Sequence, residues 1–335
     1  MPISTRRTAL ALAAAALLVA PRPGAAQQQQ AQPGGSAFPS RPVRIVVPFP
    51  PGQASDTFAR LMAEKLAARW PQPVVVENKP GAGGAVAVES VVRSAADGYT
   101  LLWGGTGVTV LPAVAPKPLP YDVGRDMIAV ARVADIPMVV IAGSQSGIRT
   151  LADLVAKARQ KPGDLVYASG GPGSLQHLTG ELLAARAGVQ LSHVPYRGSG
   201  PAMTDLVAGT IPLMVDSSAS ALPQVRAGRA VALAVASEQR SPLMPEVPTA
   251  AEAGVAGVVA VGWNGIFAPA GTPPAVVQRV HADANAVLAD PAVQARLAEL
   301  GAEATPASQE AFQSFVAEEL AKWRAVAQAA QVKLD

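Results

Sequence analysis

Short apolar runs that end in glycine-rich or polar loops, each followed at once by a helical pattern, constrain the fold of this chain most strongly. The first example is RIVVPFPPGQASDTFAR, residues 44–60, where an apolar run stops at Pro48 and a helix starts near Ser55. The same order returns at GGTG, SGGPGS, YRGSG and DSS. Alternating strands and helices predict a mainly parallel sheet with helices on both faces.

The predicted elements fall into two sets. In the first set, the strands are 43–47, 74–76 and 100–103, and the helices are about 55–70 and 84–95. In the second set, which begins near Gly143, the strands are 165–168, 191–195, 211–215 and 231–236, and the helices are 150–160, 175–187, 201–208 and 218–227. An extended segment after Gly262 and two or three helices follow. Ser55 or Asp56 is predicted to cap the first helix.

Residues 1–26 have the features of a secretory signal peptide. Arg6 and Arg7 precede an apolar run from Thr8 to Ala20, and PGAAQ offers small residues for cleavage after Ala26. The adjacent arginines leave the twin-arginine route open beside the general secretory route. The polar stretch 27–40, which begins QQQQAQPGG, is predicted to be a disordered linker.

Composition excludes several kinds of site. Three of the 27 basic residues lie in the signal peptide, so the mature chain carries 24 basic and 24 acidic residues and has no charge surplus for nucleic acid. The absence of cysteine excludes disulfides, thiolate ligands and lipid attachment through an N-terminal Cys. His177, His193 and His281 lack the spacing of metal ligands. We predict a free periplasmic protein without a metal or a cofactor.

Ser174, His177 and Asp216 supply the three residue types of a hydrolase catalytic triad. The G-x-S-x-G pattern is missing, however, and Ser174 lies at a predicted helix start, where serine usually caps. GAGGAV also lacks the full dinucleotide-binding fingerprint. We therefore predict no catalytic residue. Asp216 ends an apolar strand and is predicted either to cap a helix or to accept a hydrogen bond from a ligand or a bridging water.

The loops at the carboxyl ends of the strands are the predicted binding site. Ligands of open α/β sheets bind outside these ends, where helix N-termini expose unpaired N–H groups and a positive dipole end. Five such loops in two sets indicate two α/β lobes that face each other across a cleft.

Eight motifs carry a family resemblance along residues 41–335: PFPPGQASDTFAR, VENKPGAGG, DGYTLLWG, LPYD, YASGGPGSLQHLTGELL, HVPYRGSGPAMTDLVAG, MVD and GIFAPAGTP. In this order they closely resemble the substrate-binding receptors of tripartite tricarboxylate transporters, often called Bug receptors. The resemblance implies a type II periplasmic binding protein with lobes at 41–142 plus 262–335 and at 143–261. Two chain crossings, near Ala142 and Gly262, would act as hinges on ligand binding.

The resemblance also implies the ligand and its contacts. Family members bind small carboxylates, largely through backbone N–H groups and ordered waters, and deliver them to membrane permease subunits. The contacts implied for this chain are Phe49, Gly52, Gln53, Ala54, Ser55, Asp56 and Thr106 in the first lobe, and Ser169, Gly171, Ser174, His177, Tyr196, Arg197 and Asp216 in the second. A monomer is expected.

Two departures from the family pattern concern specificity. Gln53 stands where the family usually has a second glycine, and its side chain narrows the pocket or adds an amide donor. The segment GGTGVTVLPAVAPK is unusually apolar, which favours a less polar ligand end.

Three functions compete at this point. The first is a transport receptor, the second a receptor that presents its ligand to a sensor kinase, and the third a periplasmic hydrolase. For either receptor, we expect binding to depend on N–H groups of PPGQAS and GGPGS more than on Arg197.

Overall fold

The computed structural model describes residues 38–334, which form a mixed α/β fold. The strands in this part of the chain are β1 Val43–Val47, β2 Val74–Asn78, β3 Thr100–Gly105, β4 Met127–Gly143, β5 Val166–Ser169, β6 Ser192–Pro195, β7 Leu213–Ser217, β8 Ala230–Val235, β9 Val261–Pro269 and β10 Glu303–Ala304. The helices are α1 Ala54–Arg69, α2 Ala85–Val92, α3 Gly107–Val114, α4 Val123–Asp126, α5 Leu151–Gln160, α6 Leu175–Ala187, α7 Ser199–Ala208, α8 Ser218–Arg226, α9 Pro274–Leu288, α10 Pro291–Glu299 and α11 Gln309–Ala329.

The strands form one continuous sheet with two halves. Its path is β2-β1-β3-β9-β4-β7-β5-β6, with β10 and β8 also paired to β4. In the first half, β1 runs parallel to β2 and β3, and β9 runs antiparallel between β3 and β4. In the second half, β5 runs parallel to β6 and β7, and β7 runs antiparallel to β4. Strand β4 therefore belongs to both halves.

The register along β4 makes the two sets of strand ends face each other. Gly105, the last residue of β3, pairs with Asn264 of β9, which in turn pairs with Ala134 of β4. Asp216, near the end of β7, pairs with Val139 of β4 from the opposite direction. Ala134 and Val139 are five residue steps apart along β4, which is about 16 Å at the usual strand rise. The carboxyl ends of both halves thus point at the middle of β4.

Helix α11 also joins the two halves. Phe312 and Val316, near its start, pack in a cluster with Trp263 and Phe267 of the first half. Its later residues, which include Trp323, pack in the largest cluster, with side chains of the second half. A helix of this length spans about 30 Å, enough to reach from one cluster to the other.

Most predicted elements are confirmed within two or three residues, but four were missed: the long strand β4, helix α3 and the short elements α4 and β10. The prediction named no strand between residues 104 and 142, where β4 lies, and no helix at α3. Near residue 137 strand β4 changes its partner from β9 to β7 and β8, before the predicted boundary at Ala142. The boundaries 41–142 plus 262–335 and 143–261 stay predictions, as do the hinges.

The predicted N-terminal segments lie almost wholly outside the described residues. The signal peptide, 1–26, is outside them, as is 27–37 of the predicted linker. Phe38 packs edge-on against Trp70, with ring centroids 5.7 Å apart, and also contacts Tyr99. Residues 38–40 therefore belong to the folded chain rather than to the linker. Between residues 38 and 334, no helix combines the length and apolar character that crossing a membrane requires.

The close packing of α11 on β9 gives a stability test at Gly265. A β-carbon added there would lie 2.5 Å from Cζ of Phe312 and 2.8 Å from the carbonyl oxygen of Ala131. Gly265→Ala should therefore lower the free energy of unfolding by about 1–3 kcal/mol through overpacking, measured by urea denaturation. Gly200→Ala is the matched control, because a β-carbon there meets nothing within 4 Å. Equal stability of the two variants would contradict this packing.

Candidate functional site

The first half of the candidate site is the N-terminus of α1, which follows β1 through the Pro-Pro-Gly turn. Gln53 is the N-cap residue, with φ −74° and ψ 159°, and its side chain makes no capping hydrogen bond. The first intrahelical bond is donated by the N–H of Thr57 to the carbonyl of Gln53. Among residues 38–334, no acceptor is found for the N–H groups of Ala54 and Ser55, as expected for a first helical turn.

Asp56 fixes the turn rather than facing a ligand with free oxygens. Its Oδ2 accepts from the N–H of Gly52 and from Nε of Arg60, both at 2.9 Å, and its Oδ1 accepts from Nδ2 of Asn78 at 2.8 Å. Gly52 supports this geometry with a φ of +85°. Burial alone would raise the pKa of Asp56, but these hydrogen bonds and the Arg60 charge hold it below its usual value.

Ser55 does not cap the helix as predicted; its hydroxyl faces β3 and β9 instead. Nε1 of Trp103 donates to Ser55 Oγ at 3.1 Å, and Nδ2 of Asn264 donates to it at 3.3 Å. Two donors occupy both lone pairs of the oxygen, so the Ser55 proton is left to be donated elsewhere. Asn264 Oδ1 is buried, and none of the described residues donates a hydrogen bond to it. The N-terminus of α1 and the adjacent Asn264 therefore offer N–H donors, a hydroxyl donor and one amide oxygen.

Thr106 and Phe49 lie near the N-terminus of α1. Oγ1 of Thr106 accepts from the N–H of Trp263 at 2.9 Å, which ties the start of α3 to β9. Phe49 is partly buried and lines a small apolar hollow together with Pro48, Val108 and Leu111. The apolar segment noted in the sequence thus forms the side of the hollow next to the polar donors.

The second half of the candidate site is centred on Asp216, where three helices begin. Its Oδ1 accepts from Oγ of Ser199 at 2.9 Å, from the N–H of Ser217 at 2.8 Å and from Nε2 of Gln176 at 3.4 Å. These donors stand at the starts of α7, α8 and α6. Asp216 Oδ2 is buried and has no hydrogen-bond partner within the described part of the chain, and burial raises the pKa of the carboxyl.

The glycine loop before α6 uses its own N–H groups internally. The N–H of Gly171 donates to Ser169 Oγ at 3.1 Å, and that of Gly173 donates to Nδ1 of His177 at 3.1 Å. Ser174 caps α6, since its Oγ accepts from the N–H of His177 at 3.2 Å. Ser169 is fully buried. These residues shape the loop, and Gly171 has no N–H left for an external anion.

The remaining predicted contacts lie around this loop. Tyr196 donates its hydroxyl to Asp205 at 2.6 Å, an interaction that raises the tyrosine pKa to about 12. Arg197 is exposed. His177 stacks on His193 rather than approaching Asp216, so Ser174, His177 and Asp216 do not form the hydrogen-bonded relay of a hydrolase.

Four residues of the site were missed by the sequence analysis: Trp103, Asn264, Gln176 and Ser199. Each lies within or beside a motif that was noted: Trp103 in LLWG, Asn264 just before GIFAPAGTP, Gln176 in SLQHL and Ser199 in YRGSG. Their roles depend on contacts between residues distant in sequence, such as the bond between Asn264 and Ser55. The available signals were the position of Trp103 near the end of β3 and the positions of Gln176 and Ser199 at helix starts, whereas Asn264 lies inside β9.

Comparison with known proteins decides the family. Residues 58–332 match the model of the tripartite tricarboxylate transporter family receptor. The chain belongs to this family. A UPF0065 protein in the tcbD-tcbE intergenic region of Pseudomonas sp. is 43% identical over 289 residues, which cover 86% of each chain. Protein BugT of Bordetella pertussis is 36% identical over 298 residues, which cover 89% of this chain and 91% of BugT.

Solved structures of family receptors share the fold. MatC from Rhodopseudomonas palustris, solved with bound malate, has 34% identity and a TM-score of 0.71, and the match covers 86% of this chain and 99% of MatC. An R. palustris protein solved with adipate has 34% identity and a TM-score of 0.75, over 88% of this chain and 99% of that one. The predicted periplasmic binding protein fold is confirmed. The family and its structural relatives are substrate-binding receptors and not enzymes.

The Asp56 network gives a pH-dependent stability test. Asp56→Ala removes the carboxylate that accepts from the Gly52 N–H, from Asn78 and from Arg60, and the loss of these charge-assisted hydrogen bonds should cost about 1–3 kcal/mol at pH 7. Because the folded-state pKa lies below the unfolded value, the stabilisation is present above about pH 4 and is lost as the pH falls through the folded-state pKa.

The measurement is urea unfolding of wild type and Asp56→Ala at pH 7 and at pH 3. Asp164→Ala is the control, because the Asp164 side chain is 70% exposed and its ion pair with Lys161 contributes little. A stability difference between wild type and Asp56→Ala that stays constant from pH 7 to pH 3 would contradict the assignment of an ionised, stabilising carboxylate.

Proposed function

We propose that this receptor binds a small carboxylate between the two halves of the sheet and delivers it to the membrane permease subunits of a tripartite tricarboxylate-type transporter. The family assignment supports the receptor role, and the malate and adipate of its solved relatives support a carboxylate ligand. The signal peptide pattern in residues 1–26 supports export to the periplasm as a free protein.

The Ser55 hydroxyl is the observation that carries this proposal. Trp103 and Asn264 fill its acceptor positions, so the hydroxyl acts as a donor beside the N–H groups of Ala54 and Ser55, for which the described residues provide no acceptor. Three donors at the positive end of a helix dipole fit a carboxylate. The nearby charge of Asp56 is balanced by Arg60, so the dipole and the donors set the local preference for an anion.

The second half of the site would receive the other end of the ligand. Asp216 Oδ2 is a buried acceptor to which no residue between 38 and 334 donates, and helices α7 and α8 begin beside it. A hydroxyl or an ordered water donates to this oxygen, and a second carboxylate accepts from the helix N–H groups. The spacing of about 16 Å along β4 leaves room for a short dicarboxylate with its hydrogen-bond partners.

A single backbone donor can be removed at Ala54 to test the amide site. Ala54 is the first residue of α1 and follows an extended residue, Gln53, so proline is compatible there. Ala54→Pro should weaken the binding of malate or adipate by about tenfold or more, the loss of one charge-assisted hydrogen bond. Ala54→Ser keeps the N–H group and should bind like wild type.

Isothermal titration calorimetry of both variants, with thermal unfolding as a check on folding, makes the comparison. The account fails if Ala54→Pro folds normally and binds with wild-type affinity.

The alternative to an amide site is an arginine clamp at Arg197. This side chain is exposed, and we expect Arg197→Gln to weaken binding less than Ala54→Pro does. Calorimetry under the same conditions compares the two. If Arg197→Gln abolishes binding while Ala54→Pro leaves it intact, the carboxylate is held by Arg197 and not by the N–H groups at the N-terminus of α1.

A further inference from the structure

Two histidines stack on each other beneath the glycine loop of the second half. His177 lies in the first turn of α6 and His193 in β6, and their rings are 3.7 Å apart between centroids and 10° from parallel. The His177 side chain is only 12% exposed. Two of the three histidines in the chain are therefore in direct contact with each other.

Both rings are bonded to the loop that precedes α6. Nδ1 of His177 accepts from the N–H of Gly173, and Nε2 of His193 lies 2.6 Å from Ser169 Oγ. Ser169 Oγ in turn accepts from the N–H of Gly171. His177 therefore holds the Gly173 N–H directly, whereas the Gly171 N–H is held by the Ser169 oxygen, which contacts both His193 and, at 3.2 Å, the carbonyl oxygen of Gly171.

The bond from Gly173 requires an unprotonated Nδ1 on His177. The neutral ring then carries its proton on Nε2, which lies 3.7 Å from Oε1 of Glu181. Protonation would place a hydrogen on Nδ1 facing the N–H of Gly173, and two donors would oppose each other. The bond between His193 and Ser169 is less sensitive, because a hydroxyl can accept as well as donate.

The surroundings keep both rings neutral near pH 7. Burial lowers the pKa of His177, and burial together with the neighbouring His177 lowers the pKa of His193 to about 4. Glu181 of α6 faces His177 and favours its protonated form, while Tyr167 of β5 donates its hydroxyl to Glu181. Beside Glu181, α11 contributes apolar side chains, and Arg186 carries a charge on the same groove.

We infer that His177 and His193 are positioning residues for ligand binding, which hold the loop 170–174 in its binding geometry while both rings are neutral. This inference rests on the proposed function, because the loop leads to the candidate site around Asp216. Acidification breaks the bond between Gly173 and His177, and the loop leaves its position at the start of α6. Ligand affinity then falls with pH in a manner set by His177 and not by the ligand alone.

The test variant is His177→Asn, in which Oδ1 takes the place of the Nδ1 acceptor but does not titrate. Because burial lowers the pKa of His177 below its usual value, malate and adipate binding are measured by calorimetry for wild type and variant from pH 7.5 down to the lowest pH at which both proteins stay folded. Titration of the ligand cancels in the ratio of the two Kd values. The wild-type Kd divided by the His177→Asn Kd should be near one at pH 7.5. It should rise by up to about tenfold for each pH unit below the pKa of His177, because only the wild-type ring is protonated.

His281→Asn is the matched control, because His281 bonds to the carbonyl of Val130 in the first half of the fold. It should reproduce the wild-type pH profile. His177→Phe keeps a ring for stacking but offers no acceptor, and it should bind weakly at every pH. A constant Kd ratio between wild type and His177→Asn, or strong binding by His177→Phe at pH 7.5, overturns the inference.

A ligand-free measurement separates this inference from the proposed function. Amide hydrogen exchange at Gly173, followed by NMR, should lose protection on acidification in wild type relative to His177→Asn at each pH. If neither protein binds a carboxylate but this difference appears, the positioning of the loop stands and the proposed ligand class fails. If Gly173 shows the same protection in both proteins at every pH, the histidines do not position the loop.

Discussion

The pairing of β4 on both of its edges is the constraint on which the rest of the structure depends. This strand of 17 residues pairs with β9 along its first part and with β7 and β8 along its second. Because β3 runs in the same direction as β4, with antiparallel β9 between them, and β7 runs against β4, the carboxyl ends of β3 and β7 both point at its middle. The loops that bear the candidate site are thus brought face to face by backbone hydrogen bonds, whatever their side chains.

The two sides of the candidate site differ in chemistry, and this difference would orient a ligand. The α1 side presents donors, with the Ser55 hydroxyl directed by Trp103 and Asn264. The opposite side presents the buried oxygen of Asp216, whose other oxygen is already saturated by three donors. Asp56 and Arg60, the charged side chains at the start of α1, pair with each other rather than with a ligand. Recognition of the ligand is therefore left to helix dipoles and fixed hydrogen bonds.

Local patterns predicted most elements because strand and helix periods, caps and glycine turns are short-range features. The capping role of Ser174 at α6 is an example that the structure confirms. Strand β4 was missed because Asp135 and Pro137, residue types that are uncommon inside a strand, interrupt its apolar run. Helix α3 was missed because Pro112 interrupts an apolar run. The bonds from Trp103 and Asn264 to Ser55, and the internal use of the Gly171 N–H, arise only from tertiary packing.

The position of a bound carboxylate tests the central claim most directly. A crystal structure of the protein with malate or adipate at saturating concentration shows which atoms hold it. The account predicts carboxylate oxygens within about 3 Å of the N–H groups of Ala54 or Ser55 and of Ser55 Oγ, with the other end of the ligand directed at Asp216. A ligand held by Arg197 alone, or bound away from the middle of β4, would contradict it.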